Sequence, residues 1–222
     1  MGRRVLITLL VLAGVAHADA GGKVSGKVSV TEADGKAAST VEAIVYVVGF
    51  SEEPDPKAPH QTLSQQGRKF VPELIAVTAK ETVSFPNQDA FLHNVFSTSA
   101  ARKFDLGSYK KGDPKELDFP NQGVVDVYCN IHPEMAATIL VLPNRRHVKT
   151  SADGKYTIEG VPPGDWQVFA YTRRATKPVM QKVTVKADAE VTVDFSLARG
   201  TETDHKNKFG EKYKPGSGDT YK

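Results

Sequence analysis

The sequence predicts an all-β protein of the β-sandwich or β-barrel type, and three observations support this. Apolar and polar residues alternate in short runs along most of the 222 residues, which is the pattern of half-buried strands. Turn-forming pairs such as Asp34-Gly35 and Asp153-Gly154 separate these runs. No long stretch has the period of an amphipathic helix. Many short strands and few helices are typical of sandwiches and barrels.

Twelve segments combine this alternation with flanking turn residues, and each is predicted to be a strand. In chain order they are Lys23–Val30, Val41–Val48, Lys69–Val77, Glu81–Pro86, Asn94–Ser97, Lys115–Phe119, Val124–Cys129, Ala137–Leu142, Tyr156–Ile158, Asp165–Tyr171, Met180–Val185 and Glu190–Leu197. Further turn signals lie directly before the segments that begin at Lys115, Val124 and Asp165. They are Gly112-Asp113-Pro114, Asn121-Gln122-Gly123 and Pro162-Pro163-Gly164.

Residues 1–20 have the features of a secretory signal peptide. Arg3 and Arg4 precede a short apolar run, and Ala18 and Ala20 provide the small residues of a cleavage site. The run is shorter than the roughly 20 apolar residues that span a bilayer, and no cysteine follows the cleavage site to accept a lipid. We therefore expect export to the periplasm or beyond, with no membrane span and no membrane anchor.

Charge gives no reason to expect a nucleic-acid partner. The net charge is +3, and loss of Arg3, Arg4 and Asp19 with the signal peptide removes two positive charges and one negative, leaving about +2. The remaining length suits one large or two small domains.

Composition also marks linkers and a tail. Residues 51–59 are rich in proline and charge, and Pro143–Arg146 is short and basic, so both are expected to be linkers. Residues 199–222 contain only Phe209, Tyr213 and Tyr221 as large apolar side chains. We expect a disordered tail there, because so little apolar surface cannot offset the entropy of ordering.

The only cysteine, Cys129, lies three residues before His132 and six before Met135. Exported proteins usually pair their cysteines, and a single one cannot form an internal disulfide. A thiolate, an imidazole and a thioether together are the ligands that suit copper. The missing second imidazole is predicted to be His93, in a turn-rich loop directly before the strand Asn94–Ser97. Two His, one Cys and a weak axial Met is the blue-copper arrangement.

Each of these residues also has a simpler interpretation. Taken singly, Cys129 and Met135 could be core residues and the two histidines surface residues, but their combination at a strand-to-turn boundary favours a metal site. Zinc is the alternative metal, with Glu134 as a further ligand. A binuclear or multicopper site is excluded by the isolation of the other histidines in the mature chain, His60, His147 and His205.

Residues from about 60 to 143 resemble a cupredoxin of the plastocyanin and amicyanin type. The landmarks that carry the resemblance are Phe70-Val71-Pro72, Val83-Ser84-Phe85 with Asn87, His93-Asn94, and Tyr128-Cys129 with His132 and Met135. Exported methylamine-utilisation and plastocyanin-like proteins are similar also at Phe104–Gly107 and Cys129–Pro133. The resemblance implies a Greek-key β-barrel with one mononuclear copper, held by His93, Cys129 and His132 in the equatorial plane and by Met135 axially.

The resemblance also implies a function. The expected protein transfers single electrons, is not an enzyme, and meets redox partners at an apolar patch around an exposed edge of His132. The patch residues would be Phe91, Leu92, Ile131 and Pro133. A copper-binding carrier or a structural or adhesive envelope module, whose metal does not cycle, is the rival prediction. Electron donor, acceptor and oligomeric state are not predicted.

One position departs from the family pattern. The second residue after the cysteine is typically proline in plastocyanin and amicyanin, but here it is Ile131, which keeps its backbone N–H. Hydrogen bonds to a ligating sulfur tune the reduction potential. We therefore expect the Cys129 sulfur to accept two backbone N–H groups, from Asn94 and Ile131.

The flanking segments resemble a second family. The turns Asp153-Gly154-Lys155-Tyr156 and Val161-Pro162-Pro163-Gly164 resemble those of the carboxypeptidase-regulatory-like, transthyretin-type (prealbumin-like) β-sandwich, and residues 21–50 resemble its first strands. This predicts one sandwich made of residues 21–50 and 147–198, with the cupredoxin inserted between them. The alternative is tandem packing. Contacts between Val24–Val30 and Val183–Phe195 distinguish the two.

Overall fold

The computed structural model of the chain describes residues 21–112, 114–201 and 204–213. Within these ranges the regular structure consists of β-strands, which confirms the all-β prediction. None of the described residues forms a helix that could span a membrane. The predicted signal peptide, residues 1–20, and the last part of the predicted tail, residues 214–222, lie outside the described residues.

The strands are numbered in chain order. They are β1 (Gly22–Thr31), β2 (Ile44–Val48), β3 (Gln61–Thr62), β4 (Ser64–Gln65), β5 (Phe70–Val71), β6 (Leu74–Thr78), β7 (Thr82–Phe85), β8 (His93–Ser97), β9 (Phe104–Tyr109), β10 (Lys115–Asp118), β11 (Gly123–Tyr128), β12 (Ala136–Leu142), β13 (His147–Lys149), β14 (Lys155–Val161), β15 (Gly164–Tyr171), β16 (Val179–Val185), β17 (Glu190–Thr192) and β18 (Phe195–Ala198).

The first and last strands of the chain form one sandwich, here called the outer unit (β1, β2 and β13–β18). In one sheet β1 pairs antiparallel with β14 and parallel with β17 and β18. In the other sheet the order is β13-β2-β15-β16. The alternating residues of β1, among them Val24 and Val28, are fully buried in the core between the sheets, together with Val168 of β15.

Strands β1, β17 and β18, which are far apart in sequence, pair directly in the outer unit. Val24 is paired with Val191 and Val28 with Phe195, and Val24 and Val183 lie in the same core. Residues 61–142, here called the inserted unit, are therefore bracketed by strands of the outer unit. The kinship of the outer unit to the transthyretin-type family stays a prediction.

The inserted unit is a second sandwich. One sheet has the order β6-β12-β11-β8-β9 and the facing sheet has the order β10-β7-β3. Phe85 and Phe119 are fully buried between the sheets, where Phe104 packs against both rings. The central strands β8 and β12 are buried along their whole length, so they form a rigid base for the residues at their ends.

The two units share a third, smaller apolar cluster. Tyr46 of β2 and Tyr171 of β15 pack with Leu74 of β6 and Leu140 of β12. Burial raises the pKa of Tyr46 to about 12. This contact exists because the run Ala136–Leu142 is apolar on both faces: one face fills the core of the inserted unit and the other meets the outer unit.

The tail differs in part from its prediction. Residues 204–213 were expected to be disordered, but they are packed against the inserted unit. The ring of His205 stacks on Tyr128, with centroids 4.0 Å apart, and Lys208 forms an ion pair with Asp105. Aromatic stacking and ion pairing, rather than burial of aliphatic surface, hold this segment, which is why its low apolar content was misleading.

Candidate metal centre

Three strand ends place the predicted ligands at one end of the inserted unit. His93 is the first residue of β8, Cys129 directly follows β11, and Met135 directly precedes β12. Because β11 is antiparallel to both β8 and β12, the start of β8, the end of β11 and the start of β12 lie at the same end of the sheet.

A tight turn brings His132 back to Cys129. The backbone N–H of Met135 donates to the carbonyl of His132 at 3.1 Å, and the N–H of Cys129 donates to the carbonyl of Met135 at 3.3 Å. The spacing of two residues between Cys129 and His132, and again between His132 and Met135, is therefore the length of one closed turn. Met135 is fully buried in the same core as Cys129.

The donor atoms of His93, Cys129 and His132 face one another and all three residues are buried. The two Nδ1 atoms are 3.0 Å apart, and the Cys129 sulfur lies 4.0 Å from Nδ1 of His93 and 3.7 Å from Nδ1 of His132. A triangle with these edges has a circumradius of about 2.1 Å, which matches the metal–nitrogen and metal–sulfur bond lengths of about 2.0 to 2.3 Å found for a Cys and His site. The donor set thus fits a transition-metal ion.

Backbone amides surround the Cys129 sulfur. Ile131 N–H donates to it at 3.4 Å and His132 N–H at 3.5 Å. Burial raises the pKa of the Cys129 thiol, while the backbone N–H groups of Asn94, His132 and Ile131 oppose the rise. Of the two donors expected from the sequence, Ile131 N–H lies at hydrogen-bond distance from the sulfur, and Asn94 N–H acts on the thiol pKa. The donor that was not expected, His132 N–H, follows from the tightness of the turn.

Asp89 orients His93 through the ring nitrogen that does not face the other donor atoms. Its carboxylate Oδ2 lies 2.8 Å from Nε2 of His93, so that the proton of a neutral imidazole sits on Nε2 and the Nδ1 lone pair faces the other donors. The N–H groups of Gly67 and Arg68, both with positive φ, donate to Asp89. Burial alone would raise the pKa of Asp89, but the hydrogen bonds from Gly67, His93 and Arg68 lower it overall, which keeps the carboxylate charged.

His132 is held in its neutral form. Burial, together with the nearby His93, lowers the pKa of its imidazole, and a neutral imidazole is the form that binds metals. Phe91 contacts both imidazoles edge-on, with centroids 5.1 Å from His93 and 5.7 Å from His132, and the Arg68 guanidinium lies over the outer face of Phe91 at 5.6 Å.

The predicted partner patch is only partly at the surface. Phe91, Leu92 and Pro133 are half-buried, but Ile131 is buried and His132 has 0% of its surface exposed. The resemblance implied an exposed edge of the His132 ring. The structure differs because Phe91 lies against this ring, and the Nε2 atom is buried without a hydrogen-bond partner among the described residues.

No protein-family model matches the sequence, and no curated protein matches it. Similar solved structures include a reduced tryptophan-to-tyrosine variant of amicyanin, at 22% identity over 44% of this chain and 98% of that one, with a TM-score of 0.36. A purple cupredoxin from Nitrosopumilus maritimus has 23% identity over 38% of this chain and 100% of that one, with a TM-score of 0.33.

A third similar structure is the copper-containing nitrite reductase of Thermus scotoductus SA-01. It has 22% identity over 44% of this chain, with a TM-score of 0.37. The match spans 25% of that chain, so it concerns one part of a longer protein.

Proposed function

We propose that this chain is an exported protein of the cupredoxin type, which binds one copper ion and carries single electrons between redox partners. The observation that carries the proposal is the convergence of His93 Nδ1, Cys129 Sγ and His132 Nδ1 around a point about 2.1 Å from each, which is a metal–ligand bond length. A copper ion held there would alternate between Cu(I) and Cu(II) and so carry one electron at a time.

The protein's own residues supply a rigid and dry site. His93 begins the buried strand β8, Cys129 directly follows β11 and is itself fully buried, and Asp89 fixes the His93 tautomer. Met135 is fully buried in the same core as Cys129 and would supply a thioether as a further, weaker ligand. Burial of all four ligands excludes water and restricts their movement, which favours small structural change on oxidation and reduction.

Copper suits the donor set better than zinc. The zinc interpretation needs a fourth ligand such as Glu134, but the Glu134 side chain is exposed. Among the described residues, the metal-binding group contains His93, Cys129 and His132 without a carboxylate. We also propose that the protein has no catalytic activity, because burial of the ligands leaves little room for a substrate.

The rival function is a copper-binding carrier or an envelope module whose metal does not cycle. Addition of Cu(II) to the purified protein, followed by absorption spectroscopy and voltammetry, separates the two. Electron transfer predicts an intense visible band and a reversible one-electron wave. A coloured protein without a reversible wave would favour the rival, and a colourless one would remove the blue-copper proposal.

Asp89→Asn is expected to weaken copper binding about 10- to 100-fold, the usual effect of losing a hydrogen-bond partner of a ligating histidine. The amide keeps the size of the side chain but removes the charge that accepts the His93 Nε2–H. Competitive titration with a copper chelator measures the affinity. Asp118→Asn is the control, because the exposed Asp118 bonds Thr82 and not a ligand. Equal affinities in the two variants would argue against a role for Asp89.

Leu92→Lys is expected to slow electron exchange between reduced and oxidised copies of the protein while leaving the visible band unchanged. A lysine on the half-buried patch beside the ligands would repel the same patch on a second copy. NMR line broadening measures the exchange rate. Val124→Lys is the control, since Val124 is 42% exposed at the far end of β11. An unchanged rate in Leu92→Lys would mean that this patch is not the contact.

A further inference from the structure

The C-terminal segment, residues 204–213, touches the metal centre at several points that the proposed function does not explain. The hydroxyl of Tyr213 donates to the backbone carbonyl of Cys129 at 2.8 Å. The backbone N–H of Lys208 donates to Oδ1 of Asn130, the next residue, at 3.0 Å. The first contact holds the backbone of Cys129, and the second holds the side chain of the residue that follows it.

A third contact links the segment to β8 through Asp105. The Lys208 ammonium bonds Oδ2 of Asp105 at 2.7 Å, and Oδ1 of Asp105 accepts Nδ2 of Asn94 at 2.7 Å. Asn94 directly follows His93 in β8, and its backbone N–H lowers the pKa of the Cys129 thiol. Burial alone would raise the pKa of Asp105, but the bonds from Lys208, Asn94 and Gly107 lower it overall, so this link is charged at both ends.

Aromatic contacts of His205 also hold the segment against the inserted unit. The His205 ring lies parallel to that of Tyr128, with an interplanar angle of 17°, and meets Tyr213 edge-on with centroids 5.3 Å apart. Tyr128 directly precedes Cys129, so His205 stacks on the residue next to the sulfur ligand. The segment therefore contacts residues 128–130 directly and is linked through Asp105 to Asn94 of β8.

We propose that residues 204–213 form a strap in which Lys208 and Tyr213 are positioning residues for the Cys129 sulfur and its Asn94 N–H donor. The expected effect on the reduction potential rests on the proposed copper site, whereas the positioning of Cys129 concerns the protein alone. N–H donors withdraw negative charge from a ligating sulfur, which stabilises the reduced metal and raises the reduction potential. Loosening the strap weakens a donor and lowers the potential.

Two variants test the strap in the full chain. Lys208→Met removes the bond to Asp105, and Tyr213→Phe removes only the hydroxyl that bonds the Cys129 carbonyl. Both are expected to bind copper with a lower reduction potential and a shifted visible band. Lys208→Arg, which keeps the charge and can bond Asp105, is expected to restore most of the potential.

Lys212→Met is the matched control. It removes a charge from the same segment, where the exposed Lys212 lines an open cavity of about 450 Å³ beside His205 and Tyr213. A change in potential that arose from net charge alone would appear in Lys212→Met as well. We expect this variant to keep the wild-type potential, so an equal shift in Lys212→Met and Lys208→Met would overturn the positioning role.

The metal-free protein provides an independent measurement. The rate at which iodoacetamide alkylates Cys129 is expected to rise several-fold in Lys208→Met and Tyr213→Phe, because the buried thiol becomes accessible when the strap loosens, and to stay unchanged in Lys212→Met. If alkylation rates and reduction potentials stay unchanged in Lys208→Met and Tyr213→Phe, the proposed strap is overturned. If the wild-type protein binds no copper, the proposed function fails, while the alkylation rates still decide the inference.

Discussion

Cys129→Ser is expected to abolish the intense visible absorption of the copper-loaded protein completely. The band requires a sulfur-to-copper charge transfer, and a serine hydroxyl supplies neither a thiolate nor an easily removed proton. Serine fits the space of the buried cysteine and can accept the N–H groups of Ile131 and His132 that now bond the sulfur. Absorption spectroscopy after addition of Cu(II) measures the loss.

The far-ultraviolet circular dichroism of Cys129→Ser controls for misfolding. A buried hydroxyl without full hydrogen bonding costs about 1 to 3 kcal/mol, which is less than the 5 to 15 kcal/mol by which native domains are typically stable. The spectrum should therefore match that of the wild-type protein. A folded Cys129→Ser variant that keeps the visible band would show that the sulfur is not a ligand.

Phe85→Ala is expected to reduce the free energy of unfolding by about 3 to 5 kcal/mol, the usual cost of truncating a buried phenylalanine. Phe85 is fully buried between the sheets of the inserted unit, where its ring contacts Phe104 and Phe119. Its carbonyl also accepts the Tyr109 hydroxyl at 2.8 Å, a bond that the substitution leaves in place. The loss is therefore attributable to packing.

Urea denaturation of the metal-free protein measures this effect. Phe209→Ala is the control, because Phe209 is 72% exposed and its truncation should change the stability by less than about 0.5 kcal/mol. A loss of less than about 1 kcal/mol for Phe85→Ala would contradict the core of the inserted unit as described.

Much of the fold was predictable because strand alternation is a local signal. The predicted segments Val124–Cys129 and Ala137–Leu142 correspond to β11 and β12 within a residue or two at each end. In contrast, β9 was not predicted. Its sequence contains Gly107, which has a φ of 71° and reads as a turn residue, and it pairs with β8 through a bulge. Only the pairing with β8 shows that β9 continues through Gly107.

The proximity of the candidate ligands was predictable for a different reason. Cys129, His132 and Met135 lie on one short turn, so their spacing alone brings them together, whereas His93 depends on the pairing of β8 with β11. Asp89 was missed, although it lies four residues before His93. Nothing local indicates that its carboxylate turns back onto the imidazole, because the Gly67 and Arg68 amides that fix it come from a distant loop.

The burial of His132 and the strap of residues 204–213 could not be derived from the sequence. Both depend on contacts between segments far apart in the chain: Phe91 lies against His132, and Tyr213 bonds Cys129 across 84 residues. A polar segment with few aliphatic residues gives no local sign of such a partner. Stacking and charged hydrogen bonds can hold it without a hydrophobic core of its own.

X-ray absorption spectroscopy at the copper edge of the loaded protein tests the central claim most directly. We predict one short copper–sulfur distance and two imidazole nitrogens, the ligands provided by Cys129, His93 and His132. A shell of nitrogen and oxygen alone, without a short sulfur contribution, would contradict the proposed site.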